Sequence, residues 1–174
     1  MQKAVLVSVR TRNFDAVFEG LKNCIFLLKR FPKLTTPYTV YVYNSPPKYG
    51  DWNDRSGKVI GQFTCTEHVE VINEAGIVNS KLLTADEWFQ CKRIAESYYT
   101  PGKPLLGLRM SDCRLYSTPI DIHRFEKPCK EDCLHCKHWH TFSLEEPGYC
   151  DIEDNTVQSP PQTWRYVKHM EVTS

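Results

Sequence analysis

The feature that most narrows the folds open to this chain is its order of short apolar, β-branched runs separated by proline, glycine and asparagine. Ala4–Val9 reads as a strand, and Phe14, Val17 and Phe18 then recur at helical spacing before Gly20, a natural helix C-cap. Cys24–Leu28 and, beyond Pro32 and Pro37, Thr39–Tyr43 read as two further strands, followed by a loop over Ser45–Gly57. Lys58–Cys65 returns to strand character with a bulge expected at Gly61, and Val69–Ile72 continues it after a bend. Thr84, Ala85, Asp86 and Glu87 form a capping box that opens the clearest helix, lined on one face by Trp88, Cys91, Ile94 and Ala95. Leu105–Tyr116 follows as one long or two short strands, and Thr163–Val167 as the last. Strands outnumber helices about three to one, which favours an α+β fold over a parallel α/β sheet. The expected form is a small mixed or open β-barrel with one or two flanking helices.

At 174 residues the chain exceeds a typical single domain and falls short of two, so one domain over 1–174 with an insertion or appendage is expected. Apolar and charged residues make up 41% and 25%, which excludes wholesale disorder. The apolar run Ala4–Val9 is too short for a signal peptide, and no stretch approaches a membrane span. A soluble, cytoplasmic protein without membrane contact is therefore expected.

The net charge of +1 excludes a uniformly basic surface but hides a split. Residues 1–50 carry eight basic and two acidic side chains, whereas residues 129–154 carry two basic and seven acidic ones. Arg10, Arg12, Lys22, Lys29, Arg30 and Lys33 are thus candidates for a cationic groove that meets phosphate. On charge alone, a solvated face is the stronger reading.

Cys129, Cys133, Cys136 and Cys150 fall within 22 residues in the pattern C-x3-C-x2-C-x13-C, with His135, His138 and His140 among them. Tetrahedral zinc takes four soft donors, and a C-x2-C pair with a ligand about a dozen residues on can supply them. A segment this polar lacks the apolar content to fold by burial, so a structural zinc ion would supply the missing stability. The simplest ligand set is the four cysteines, with His138 or His140 as a substitute for Cys129 or Cys150. A catalytic zinc served by Glu145 or Glu146 fits less well because four thiolates close the shell, and reduced thiols or a disulfide remain the alternative. Cys24, Cys65, Cys91 and Cys113 are scattered and read as small core residues.

Four blocks in order carry a family resemblance: Ser8–Lys22 (SVRTRNFDAVFEGLK), Gly57–Cys65 (GKVIGQFTC), Gly102–Tyr116 (GKPLLGLRMSDCRLY) and Pro160–Val167 (PPQTWRYV). The chain resembles ASCH-type proteins of the PUA-like superfamily, particularly phage- and prophage-encoded members. The resemblance implies a small β-barrel with a cleft for RNA or a modified nucleoside, interrupted here by a cysteine-rich, zinc-ribbon-like insertion over 117–159. In such a cleft Trp52 or Trp164 would stack on a base, although a tryptophan on a closing strand is more often a core plug, the reading preferred for Trp164.

Some similar proteins are amidohydrolases acting on acylated cytidine through a Lys of a G-x-K turn, a polar residue three positions on and a distant Glu. Gly20 and Lys22 match the turn, making Lys22 the candidate catalytic residue. The position three after Lys22 holds Ile25, and Leu27 replaces the Arg that usually follows two residues later; a shift that brings Lys29 or Arg30 into the place of that Arg restores no nucleophile. Glu74 and Glu87 are the candidate distant carboxylates. The resulting expectation is an RNA- or modified-nucleotide-binding module with a degenerate amidohydrolase-like centre. The alternatives are an amidohydrolase acting on acylated cytidine nucleosides, and a phage-encoded protein whose acidic segment blocks a host nuclease or immune effector.

Overall fold

The computed structural model describes residues 2–10, 25–49, 52–79, 83–86, 88, 89, 92, 95, 99–128, 139, 140, 149, 150 and 155–171, with Arg10, Ile25 and residues 139, 140, 149 and 150 described through their backbone. Its strands are β1 (Lys3–Arg10), β2 (Ile25–Leu28), β3 (Tyr38–Ser45), β4 (Lys58–Ile72), β5 (Leu105–Ile120), β6 (Trp139–His140), β7 (Tyr149–Cys150) and β8 (Trp164–Lys168). Six of them form one mixed sheet in the order β2-β5-β4-β3-β1-β8, curled into a half-barrel, while β6 and β7 pair separately. Among the described strand pairs only β1 and β3 run parallel, with Val5 opposite Val40 and Arg10 opposite Ser45.

Why β1 lacks the alternating pattern of a half-exposed strand follows from its position, since it is buried on both faces. Val5, Val7 and Val9 join one core cluster with Tyr38, Val40 and Val42 of β3, whereas Ala4 and Leu6 join another with Tyr41 and Tyr43. The first cluster fills the curl and also takes Leu28, Phe63, Cys65, Leu108 and Met110.

The two runs expected between Lys58 and Ile72 are one strand, bent by register shifts between Val59 and Gly61 and between Cys65 and Glu67. The second shift reverses which parity faces the curl. Phe63 and Cys65 face it, whereas Val69 and Val71 turn to a third cluster with Leu83, Ala95 and Leu105. Half-buried Trp88 packs there too, so the helical residues around Trp88 and Ala95 cover this end of β4 and β5. The turn expected to open that helix is in place, since Trp88 N donates to Thr84 O at 3.0 Å.

Both ends of the 117–159 segment belong to the sheet and its core. β5 runs on to Ile120, a one-turn 3-10 helix (Ile122–Arg124) follows with Asp121 as its cap, and Ile122, Phe125 and Val157 are buried in the second cluster. Val157 N donates to Phe125 O at 2.7 Å, and Lys127 N to Asn155 O at 2.8 Å. Tyr41 closes the same face: its hydroxyl donates to Met170 O at 2.7 Å and accepts from Met170 N at 2.9 Å.

One core assignment is corrected. Cys113 is exposed, although Cys65 is fully buried. Thr64 pairs with Ser111 and Gln62 with Arg114, so β5 holds an extra residue there; Asp112 adopts φ 49, and the bulge carries Cys113 outward. Asp112 suits this place because a short polar side chain tolerates left-handed backbone. Among the described residues no helix is long and apolar enough to cross a membrane.

Phe125 is 1% exposed and its ring meets Tyr41 edge-on at 4.9 Å, so it anchors the covering segment to the sheet. Phe125→Ala is expected to cost about 3–5 kcal/mol of unfolding free energy, read from the urea midpoint at constant m-value.

Candidate functional site

The segment after β2 leaves the sheet edge, crosses the mouth of the curl and enters β3. Its backbone touches the opposite edge strand twice: Trp164 Nε1 donates to Arg30 O at 3.1 Å, and Lys33 N donates to the Tyr166 hydroxyl at 2.6 Å. Since β2 and β8 are the two edges of the sheet, residues 30–33 strap them together. Phe31 and Leu34 turn inward against the first cluster, which leaves Lys29, Arg30 and Lys33 exposed.

Arg30 does not point loosely into water. Its guanidinium carbon lies 5.0 Å from the centre of the Trp164 ring, and Tyr166 meets that ring edge-on at 5.1 Å. The indole is half-buried against the core, as a plug would be, but one face carries a cation. The result is an oriented planar cation between two exposed lysines, which can hold phosphate oxygens by charge and directed N–H groups.

Behind the strap lies an uncharged polar cluster. Phe31 stacks on the His68 ring at 4.5 Å with the planes 4° apart, and His68 Nε2 is 2.8 Å from the Tyr38 hydroxyl. Burial pushes the Tyr38 phenol far up, with the neighbouring Cys65 thiol adding to the effect. Burial also raises the Cys65 thiol and lowers His68. All three are therefore neutral near pH 7, so the cluster serves packing and orientation better than proton transfer. On the other face of β4, Glu67 pairs with Arg109 across the strands; both are partly exposed, so the pair is worth at most about 1 kcal/mol.

Of the six candidate phosphate-binding residues, Lys29, Arg30 and Lys33 share the strap. Arg10 ends β1 opposite Ser45, and Arg12 and Lys22 lie outside the described residues, as does Gly20 of the G-x-K turn. Trp52 is 66% exposed in the loop between β3 and β4 and Tyr49 84% exposed beside it, while Glu74 is exposed in the turn after β4. Glu87 lies outside the described residues, as do Cys24, Cys91, Cys129, Cys133, Cys136, His135, His138, Glu145 and Glu146. Cys150 sits in β7 with its backbone opposite Trp139, and His140 sits in β6. Among the described residues no three His, Cys, Asp or Glu side chains converge as a metal site.

Sequence reasoning missed Phe31, Tyr38, His68 and Tyr166. An aromatic residue between two cations at 30–33 was a usable signal, but nothing local pairs residue 33 with 166.

No family model matches the chain, and no curated protein matches it in sequence. Among solved structures it is similar to ASCH from Zymomonas mobilis, with 14% identity and a TM-score of 0.46 over 68% of this chain and 73% of that one. A tyrosine-to-phenylalanine mutant of the same Zymomonas mobilis protein matches with 14% identity and a TM-score of 0.46, over 70% and 77% of the two chains.

The His68 shift has a sign. Its folded-state value lies below the ordinary one of about 6.5, so the unfolded chain binds the proton more readily. Its contribution is intact above about pH 6.5 and is lost as pH falls from there through the lowered value. Melting temperature is expected to drop between pH 7.5 and 5, with a shallower drop in His68→Gln; equal drops in both proteins would assign the acid sensitivity elsewhere.

Proposed function

We propose that this chain is an ASCH-type, PUA-like module that binds RNA or a modified nucleotide at the strapped mouth of its half-barrel. The observation that carries this reading is Arg30, exposed, laid over Trp164 and flanked by Lys29 and Lys33 with no acidic residue between positions 25 and 49. A cation held flat on an aromatic ring is suited to phosphate and to the face of an unpaired base. The four sequence blocks support the same family, and the neutral Tyr38–His68–Cys65 cluster fits a binding role better than acid–base chemistry.

Fluorescence anisotropy with a single-stranded RNA of about 12 nucleotides, titrated from low to high salt, tests it. Binding is expected to weaken steeply as salt rises. Arg30→Ala is expected to weaken it roughly tenfold and to lower the log–log salt slope by about 0.7. Absence of binding at low salt overturns the reading.

We propose further that Cys129, Cys133, Cys136 and Cys150 hold a structural zinc ion that stabilises the insertion, a reading supported by their spacing. Protein purified without added metal is expected to carry about one equivalent of zinc, and Cys133→Ser to lose zinc and melt lower. Less than about half an equivalent, with Cys133→Ser harmless, would leave ordinary thiols.

A further inference from the structure

A second group of cations sits around the corner of the β2 edge. Thr100, Pro101, Gly102 and Lys103 form a tight turn in which Lys103 N donates to Thr100 O at 3.1 Å and Gly102 adopts φ 78. Proline followed by a glycine of positive φ is the type II arrangement, which only glycine occupies cheaply at that place. Pro104 then leads into Leu105, the first residue of β5. On the neighbouring strand, Leu28 pairs with Leu106, so Lys29 leaves β2 beside Leu105. Both lysines thus spring from backbone fixed by the same strand pair.

They line one cleft of about 90 Å³, together with Tyr99, Thr100, Pro104 and Leu105. Leu105 is buried, and the Tyr99 hydroxyl is turned away towards Glu74 O at 3.5 Å. Among the described residues no lining residue is acidic, and neither Lys29 nor Lys103 has a carboxylate partner. Two cationic residues lining one small cleft favour an anion between them. The space admits a compact tetrahedral oxyanion in place of a few waters.

We propose that the cleft between Lys29 and Lys103 is a phosphate subsite. It holds a backbone phosphodiester of the single-stranded RNA whose adjoining nucleotide lies along Arg30 and Trp164. The inference rests on the RNA-binding reading and extends it to Lys103 and Thr100, residues about 70 positions from the strap in sequence. Lys29 links the two places, because it lines this cleft while its neighbour Arg30 lies over Trp164.

The test compares wild type, Lys103→Ala and Lys127→Ala, which removes an exposed lysine elsewhere and controls for net charge. RNA anisotropy across a salt series is read for each, with melting temperature as a check on folding. Lys103→Ala is expected to weaken binding about threefold to tenfold and lower the salt slope by about 0.7, with Lys127→Ala close to wild type. If Lys103→Ala behaves like Lys127→Ala while Arg30→Ala is impaired, the subsite is overturned and RNA binding stands. If no protein binds RNA, inorganic phosphate is titrated against 15N-labelled protein. Saturable shifts of the Thr100, Gly102 and Lys103 amides, lost in Lys103→Ala, would retain an anion subsite and overturn its RNA occupant. Absence of those shifts overturns the subsite as well.

Discussion

The strap between the sheet edges is the constraint on which the candidate site depends. A six-stranded sheet that curls without closing leaves two edges with unpaired backbone groups, and such edges need covering or tying down. Here two hydrogen bonds from residues 30–33 to Trp164 and Tyr166 join one edge to the other. The inward turn of Phe31 and Leu34 seals the mouth, and the same geometry pushes Lys29, Arg30 and Lys33 outward. Core closure and the cationic rim are two sides of one six-residue segment, 29–34.

The opposite face of the sheet is closed by a different device. The chain after β5 folds back through a 3-10 turn, places Phe125 on Tyr41 and pairs with the segment around Thr156. The cysteine-rich stretch therefore departs from and returns to adjacent, hydrogen-bonded points. Extra chain length between points anchored in this way need not disturb the core, because the entropic cost of closing it grows slowly with length.

Much of the sheet was legible from residue pattern. With Lys58–Cys65 and Val69–Ile72 taken as one, each of the six strands expected from the apolar runs is a strand of the main sheet, because β-branched runs bounded by proline and glycine have few other options. The bulge expected at Gly61 coincides with a register shift. Cys113 was misplaced because its fate depends on an extra residue opposite Gln62–Thr64, which strand pairing reveals and a single strand's pattern does not. Trp164 was legible as a packed residue, but the cation on its ring was not, since Arg30 is 134 residues away.

By itself, the sequence determined that the chain builds strands, that its first 50 residues are basic and that four cysteines fall within 22 residues late in the chain. Those properties belong to local composition and spacing. Only the tertiary structure decided which cations lie together. Lys29, Arg30 and Lys33 share a rim with Trp164 and, through Lys29, with Lys103, while Arg10 ends a different strand. The physical reason is that charge has no periodicity of its own on a surface. Where a lysine or arginine ends up is fixed by the apolar residues beside it, and their partners are set by strand register and curl.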